Sequence, residues 1–292
     1  MATTITKLFS TGILQSAVEL DEISYTSVKV GPTGVYAALF DETNLAAGTA
    51  ERRTSTGTYL VSGYFDEYTL AQTSALVNGS AQFSGSNYLS VPNNVALNPG
   101  TGNFTIEFWV YLNSTTNNAS FWRGNNGGVD VFMNGAGRLA LGQAQISTLI
   151  TDTVTMTTGA WVHIAAVKNA GTIRLYKNGV SVGSSGSAPN FVTDTINYIG
   201  NQGTFKINGY ISNMRVVIGL GVYTSAFTVP TTNFTVTQSA NTNGNPSAAI
   251  TAGQTQLLLN TYNGSGFLTD SSTNAFTVTN NGSVTSSTQA PF

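Results

Sequence analysis

Glu107, Asp130 and His163 are the side chains beyond the first quarter of this chain best suited by type to move a proton. Their spacing limits what they can do. Hydrolysis of a glycosidic bond needs two carboxyl groups facing each other, about 5–5.5 Å apart for retention of configuration and about 6.5–9.5 Å for inversion. The strand-like stretch 104–111 supplies only Glu107, and 129–133 supplies only Asp130. A cross-strand meeting of those two is the arrangement left open for such chemistry. His163 lies two residues from Trp161 and shares its side of a strand, and no nucleophile stands beside it in sequence, so it reads as a satisfied sheet-face histidine. No catalytic residue is assigned.

Binding chemistry has more to work with. Glu107, Trp109 and Tyr111 alternate onto one side of their strand. Trp122, Arg123, Asn125, Asn126 and Asp130 gather in and around a Gly- and Asn-rich loop, and together the eight are the candidate contacts for a glycan. The bland reading of the tryptophans and Glu107 is core packing and a hydrogen-bonded half-buried acid. Calcium would ask for Asp130 or Asp152 with loop carbonyls, a thin donor set, so neither a metal nor another cofactor is expected. No cysteine is present and histidine occurs once, which excludes disulfides and thiolate zinc sites. No Gly-x-x-x-x-Gly-Lys phrase or β-α-β rhythm points to a nucleotide.

A second group of acids falls in residues 1–72. Asp21-Glu22, Asp41-Glu42 and Asp66-Glu67 each follow an apolar residue after a strand-like stretch. Adjacent pairs do not have the spacing of a calcium loop. They read either as solvated strand ends or as docking carboxylates for Lys or Arg on a neighbouring subunit. With Glu19 and Glu51 they outweigh Lys7, Lys29, Arg52 and Arg53, so residues 1–70 carry −4 while the whole chain carries −2. Neither part is basic enough for a nucleic-acid partner.

The elements that must position these groups are short strands. Between 75 and 234, β-branched and aromatic runs are cut by Gly and Asn roughly every ten residues, with hardly any helical period. Strands are predicted at 81–83, 88–91, 104–111, 120–123, 129–133, 138–141, 161–167, 172–177, 197–200 and 209–217, with hairpin turns at Asn134-Gly135 and Asn178-Gly179. The fold class is all-β, a sandwich of two antiparallel sheets. Strand 104–111 carries Phe104, Ile106, Phe108 and Val110 on one side and aromatics on the other. It is therefore central, with its second face covered or used. In the tail, Leu257-Leu258-Leu259 is apolar on both faces and must return to pair inside the sandwich; another strand is predicted at 275–279. The division expected is a small β-rich anchoring or oligomerisation unit at 1–74, the sandwich at 75–237 and a C-terminal extension at 238–292. A unit of about 70 residues has a thin core and invites a partner or symmetry mates.

Charged residues make up only 8% of the 292, far below the roughly 25% of an ordinary soluble domain. Ser, Thr, Asn and Gly fill the difference, a surface polar through hydroxyls and amides. No run reaches the ~18 apolar residues of a membrane span. The start, Met1-Ala2-Thr3-Thr4-Ile5-Thr6-Lys7, lacks the pattern of a secretion signal, so release by lysis within a particle is the expectation.

Five phrases occur in a telling order: Phe83-Ser84-Gly85-Ser86-Asn87-Tyr88-Leu89, Phe104-Thr105-Ile106-Glu107-Phe108-Trp109-Val110, Trp161-Val162-His163-Ile164-Ala165, Arg174-Leu175-Tyr176-Lys177-Asn178-Gly179 and Gly209-Tyr210-Ile211-Ser212-Asn213-Met214-Arg215-Val216. In order and spacing this resembles the concanavalin A-like, laminin-G-like domains, in the form found in virion structural proteins of phages of marine cyanobacteria and other marine bacteria. Gln256-Leu257-Leu258-Leu259, Asp270-Ser271-Ser272-Thr273-Asn274-Ala275-Phe276-Thr277 and Pro291-Phe292 extend the resemblance over about 80–292.

The resemblance implies a jelly-roll sandwich, and a fold that hosts lectins, hydrolases and spacers alike settles no activity. It further implies virion partners in capsid or tail and a place on the exterior of the particle, while open strand edges and the thin first core point to a homo-oligomer. The expected function is non-enzymatic: a capsid decoration or short tail appendage attached through the first unit. The alternative is a tail module that recognises a host surface glycan. A glycoside hydrolase fits least, because the related glucanases place several acids on one strand and this chain does not.

Overall fold

The computed structural model describes residues 79–292 apart from 117, 188, 242–246 and 261–264, together with three short strands nearer the start. Those three, β1 (Val18–Glu19), β2 (Glu51–Arg52) and β3 (Thr58–Leu60), form one antiparallel sheet in the order β1-β3-β2. The chain divides into compact units at 1–73 and 74–292. The carboxylates Asp21, Glu22, Asp41, Glu42, Asp66 and Glu67 lie outside the described residues.

The second unit is all-β and built of two antiparallel sheets. Its strands are β4 (Ser80–Ser84), β5 (Tyr88–Pro92), β6 (Phe104–Leu112), β7 (Ala119–Gly124), β8 (Val129–Met133), β9 (Arg138–Gln143), β10 (Ser147–Thr155), β11 (Trp161–Asn169), β12 (Thr172–Lys177) and β13 (Val180–Ser185). Then follow β14 (Ile196–Ile199), β15 (Asn201–Gln202), β16 (Phe205–Lys206), β17 (Asn208–Ile218), β18 (Thr255–Leu259), β19 (Thr279–Asn281) and β20 (Thr285–Ser287). One sheet runs β10-β9-β8-β7-β14-β5-β19. The other runs β13-β12-β11-β6-β17-β4-β20, with β18 also paired to β17, making eight strands. β15 and β16 form a separate ribbon.

Alternation along β6 decides the layering. Phe104, Ile106, Phe108, Val110 and Leu112 point between the sheets, where Phe121, Trp122, Val131, Met133, Leu139 and Leu141 of the facing sheet meet them, all essentially buried. A one-residue slip would put every one of them on the wrong face. The opposite side of β6, with Thr105, Glu107 and Trp109, is buried too, because the described parts of the segment 219–260, 219–241 and 247–260, lie across it. That segment is tied down by side chains: Thr105 Oγ1 donates to the Leu220 carbonyl, Asn213 Oδ1 accepts from the Phe234 amide, and Asn260 Nδ2 donates to the Phe234 carbonyl. Leu257 and Leu259 enter the inter-sheet core while Leu258 packs with Trp109 and Phe234 on the outer side, as a strand apolar on both faces must.

One turn follows the sequence expectation and three details differ from it. Asn178 and Gly179 both take positive φ, the two-residue hairpin turn expected of them. At Asn134 the turn is longer: Gly137 carries the positive φ and its amide donates to the Asn134 carbonyl, so Gly135 needs no special conformation. The stretch 275–279 is not a continuous strand; Ala275 has φ +48, the side chain of Asp270 captures the Phe276 amide, Thr277 makes only an isolated bridge to Thr269, and the ladder begins at Thr279. The predicted strands do not include β10, β13, β15, β16 or β20, although β13 directly follows a hairpin turn that demands a partner strand.

Candidate functional site

Between Ser212 and Arg215, β17 carries one more residue than β6 opposite it, a β-bulge with Asn213 at φ +50. The bulge sets Arg215 across from Glu107. Arg215 Nε and Nη2 donate to Glu107 Oε1 at 2.9 and 2.6 Å, and Tyr223 Oη donates to Oε2 at 3.0 Å. His163 Nε2 lies 3.5 Å from Oε2, beyond a hydrogen bond, its ring edge-on to Trp109, Phe227 and Phe234. Arg215 also donates to the Thr235 carbonyl and to Gln238 Oε1. Burial alone would raise the Glu107 carboxyl, but the Arg215 charge and the imidazole of His163 bring it down to about 2. Burial and the Glu107 charge push the Tyr223 phenol well above 10.

Glu107 is 0% exposed, so the acid singled out by sequence has no surface with which to touch a sugar or ion. A cleft of about 600 Å³ opens above, lined by Arg215, Tyr223, Phe234 and a wall of Thr, Ser and Asn. Glu107 does not line it, and Arg215 is already committed to its partners. Trp109 is buried beneath Phe234 and Leu258, and Trp122 lies between the sheets. Neither indole can stack on a ligand. Tyr111 is half-exposed, one ring in a row with Trp161 and Tyr210.

Arg123, Asn125, Asn126 and Asp130 belong to the other sheet. Arg123 and Asp130 are opposite each other on β7 and β8 and form a buried ion pair, Nη1 to Oδ2, at 3.1 Å. Burial pushes the Asp130 carboxyl up to about 6, against the Ser120 hydroxyl and the Arg123 charge. Asn125 Nδ2 donates to Thr195 Oγ1, and Asn126 Nδ2 donates to Asp194 Oδ2 at the sandwich rim. Asp194 was not singled out from the sequence; no motif surrounds it, and only the fold brings 194 to 126.

Glu107 and Asp130 therefore sit in different sheets, each on the side facing away from the shared core. The cross-strand carboxylate pair left open by the sequence does not form. Asp152 pairs with Lys177 and Asp270 accepts four hydrogen bonds, so each of the five acids after residue 67 has a structural partner. Among the described residues no group of three or more His, Asp or Glu is placed to hold a metal ion. No helix there is long and apolar enough to cross a membrane.

The raised carboxyl of Asp130 has a measurable sign. A folded value near 6 against an ordinary 3.8 means the native state holds its proton more tightly. Stability is then lost as pH rises from about 4 to about 6, by something on the order of 2–3 kcal/mol. Denaturation curves across that window should show the decline, and Asp130→Asn should flatten it.

No curated protein matches the sequence. Among solved structures, the chain is similar to a native heptameric SAP-like pentraxin of Limulus polyphemus, at 18% identity over 52% of this chain and 79% of that one, with a TM-score of 0.37. It is similar to a candidate carbohydrate-binding protein of Bacteroides ovatus at 16% identity over 80% and 64%, TM-score 0.47, spanning just under two thirds of that chain. The CBM40 of a Ruminococcus gnavus sialidase, bound to α2,3-sialyllactose, is similar at 16% identity over 49% and 91%, TM-score 0.39. At these identities the likenesses say nothing of this chain's ligand. Residues 83–218 match the laminin-G-type family model of the concanavalin A-like lectin/glucanases superfamily, which accords with the two antiparallel sheets of that segment.

Proposed function

We propose that this is a non-enzymatic structural protein of a bacteriophage particle, attached through residues 1–74 and presenting the sandwich on the exterior as a capsid decoration or short tail appendage. The observation carrying the non-enzymatic part is the commitment of Glu107, Asp130, Asp152, Asp194 and Asp270 to ion pairs and hydrogen bonds within the fold. No two of them are left to flank a scissile bond, so shape and contact surface are what the sandwich has to offer. The particle assignment is supported by the ordered phrases 83–89, 104–110, 161–165, 174–179 and 209–216 and by the closing Pro291-Phe292. Cryo-EM of assembled particles carrying a tagged chain is the test. Density on the outer surface, at a copy number matching the local symmetry, is expected; absence of the chain from purified particles overturns the proposal.

Within this reading, contact with a host glycan is favoured over bare decoration by one feature. The partly exposed sheet surface near Tyr111 is aromatic and amide-rich and carries no carboxylate or cationic side chain, a surface suited to a neutral polyhydroxylated partner.

A further inference from the structure

Strand register aligns a single rung across five strands of the eight-stranded sheet. Trp161 on β11 is opposite Tyr111 on β6, Tyr111 opposite Tyr210 on β17, Tyr210 opposite Gln82 on β4, and Gln82 opposite Thr285 on β20. Residues opposite one another in an antiparallel ladder share a face, and this is the face turned away from the sandwich core. The rings are 5.8 and 5.7 Å apart, each pair edge-to-face. All three are half-exposed, and Gln82 and Thr285 are exposed.

The next rung inward on the same face holds Trp109, His163 and Ser212, and it is sealed by Phe234, Leu258 and Phe292. Trp161 packs against the edge of this cluster, and Tyr111 and Tyr210 stand partly exposed beside it. On the outer side of the aromatic rung runs a parallel row of hydrogen-bonding groups. Asn113 Nδ2 donates to Asn208 Oδ1 at 2.9 Å, Asn208 is opposite Ser84, and Ser84 Oγ lies 2.9 Å from Ser86 Oγ. Gln82 Nε2 reaches Tyr210 Oη at 3.4 Å. Neither rung contains an acid or a base other than the phenols.

We infer that this strip binds a neutral glycan chain laid across the strands, sugar C–H groups against the faces and edges of the Trp161, Tyr111 and Tyr210 row and sugar hydroxyls on Asn113, Asn208, Ser84 and Gln82. An aromatic face is electron-rich and attracts the C–H face of a sugar ring; amides and hydroxyls a few ångströms away supply the directional bonds that apolar contact lacks. Five strands at ~4.8 Å spacing make a strip of ~19 Å, which suits an oligosaccharide segment rather than a monosaccharide. The absence of charge disfavours polyanionic chains and charged protein surfaces. This assignment rests on the contact-surface reading above and places the contact on it, in the sheet opposite the Asn125 and Asn126 loop.

Affinity electrophoresis of the full chain in gels cast with a soluble β-glucan, an α-mannan, a galactan or dextran tests it. Retardation by at least one is expected, reduced more than tenfold by Tyr111→Ala or Trp161→Ala, retained by Tyr111→Phe and unchanged by Asn126→Ala. Gln82→Ala, at an exposed position that cannot unfold the sheet, should weaken retardation severalfold. Retardation lost in Asn126→Ala and kept in the strip variants would overturn the strip while leaving a glycan-binding sandwich. No retardation in any gel overturns the glycan inference, and the particle proposal then stands or falls on its own imaging test. A concentration-dependent dimer abolished by Tyr210→Ala, without sugar retardation, would assign the strip to a second copy of the chain instead.

Discussion

Glu107→Ala should destabilise the sandwich by about 3–5 kcal/mol, because it leaves the Arg215 guanidinium buried without its counter-charge. In a unit of this size that is a fall in Tm of roughly 10 °C. The loss extends beyond the ion pair. Tyr223 Oη loses its acceptor, and Arg215, held by Thr235 and Gln238 as well as by Glu107, is a tie between β17 and the covering segment 219–260. Glu107→Gln keeps the shape and an acceptor oxygen and should cost less. The double replacement Glu107→Leu with Arg215→Met removes both charges together and should recover much of the loss, since well-packed apolar pairs often match buried ion pairs. A double-mutant cycle by urea denaturation measures the coupling; additive costs would mean the two side chains do not act as a unit. The pH dependence has the sign of a depressed carboxyl. Its contribution is complete above the ordinary 4.5 and is lost as pH falls toward about 2. Asp130 works the other way, losing stability above about pH 4. The two carboxyls therefore pull in opposite directions, Glu107 favouring pH above its ordinary 4.5 and Asp130 favouring pH below its ordinary 3.8.

The parts of this fold written in local sequence were readable. Alternation along 104–111 announces a central strand whose second face is covered or used, and it becomes β6, paired on both sides. Asn178-Gly179 announces a hairpin because both residues tolerate positive φ. The parts that depend on long-range register were not. Nothing local says that an extra residue at Asn213 will turn Arg215 onto Glu107, or that 219–260 will bury Trp109. The eight candidate glycan contacts were gathered by residue type, and the fold scatters them among a buried charge cluster, the inter-sheet core, a buried ion pair, a rim and one half-exposed rung. Only Tyr111 stays on an open sheet face, and its neighbours there, Trp161 and Tyr210, lie 50 and 99 residues away in sequence. Registering β11, β6 and β17 is what reveals the row.

The second large effect belongs to Asp270, which the sequence presents as one acid in a Ser-, Thr- and Asn-rich tail. Its Oδ1 accepts from the backbone amides of Leu258 and Ser272, each at 2.9 Å; its Oδ2 accepts from the Phe276 amide and from Ser272 Oγ. Ser272 Oγ, with a single proton to give, also lies 3.0 Å from the Gln256 carbonyl oxygen, and the Leu258 carbonyl accepts from the Ser271 amide. Asp270 is 6% exposed, so water cannot readily replace it. One carboxylate thereby fastens the turn at 270–276 to the middle of β18, the strand that fills the edge of β17 beyond the reach of β4. Asp270→Ala would strand the buried amides of Leu258 and Ser272 and the partly buried amide of Phe276 at about 1–3 kcal/mol each, a total of about 2–6 kcal/mol even if the Phe276 amide finds water. Asp270→Asn retains one carbonyl oxygen but presents an amino group to donors on the other side, so it should recover only part of the loss. The damage is directional: β18 is tied to β17 along one edge and to Asp270 along the other, so releasing it should uncover Leu258 and the Trp109 face before the inter-sheet core opens. Hydrogen exchange on Asp270→Ala should show amides of 255–259 losing protection ahead of those of β6 and β11. Uniform loss across both sheets would mean that the tail and sandwich unfold as one cooperative unit and that Asp270 acts on global stability alone.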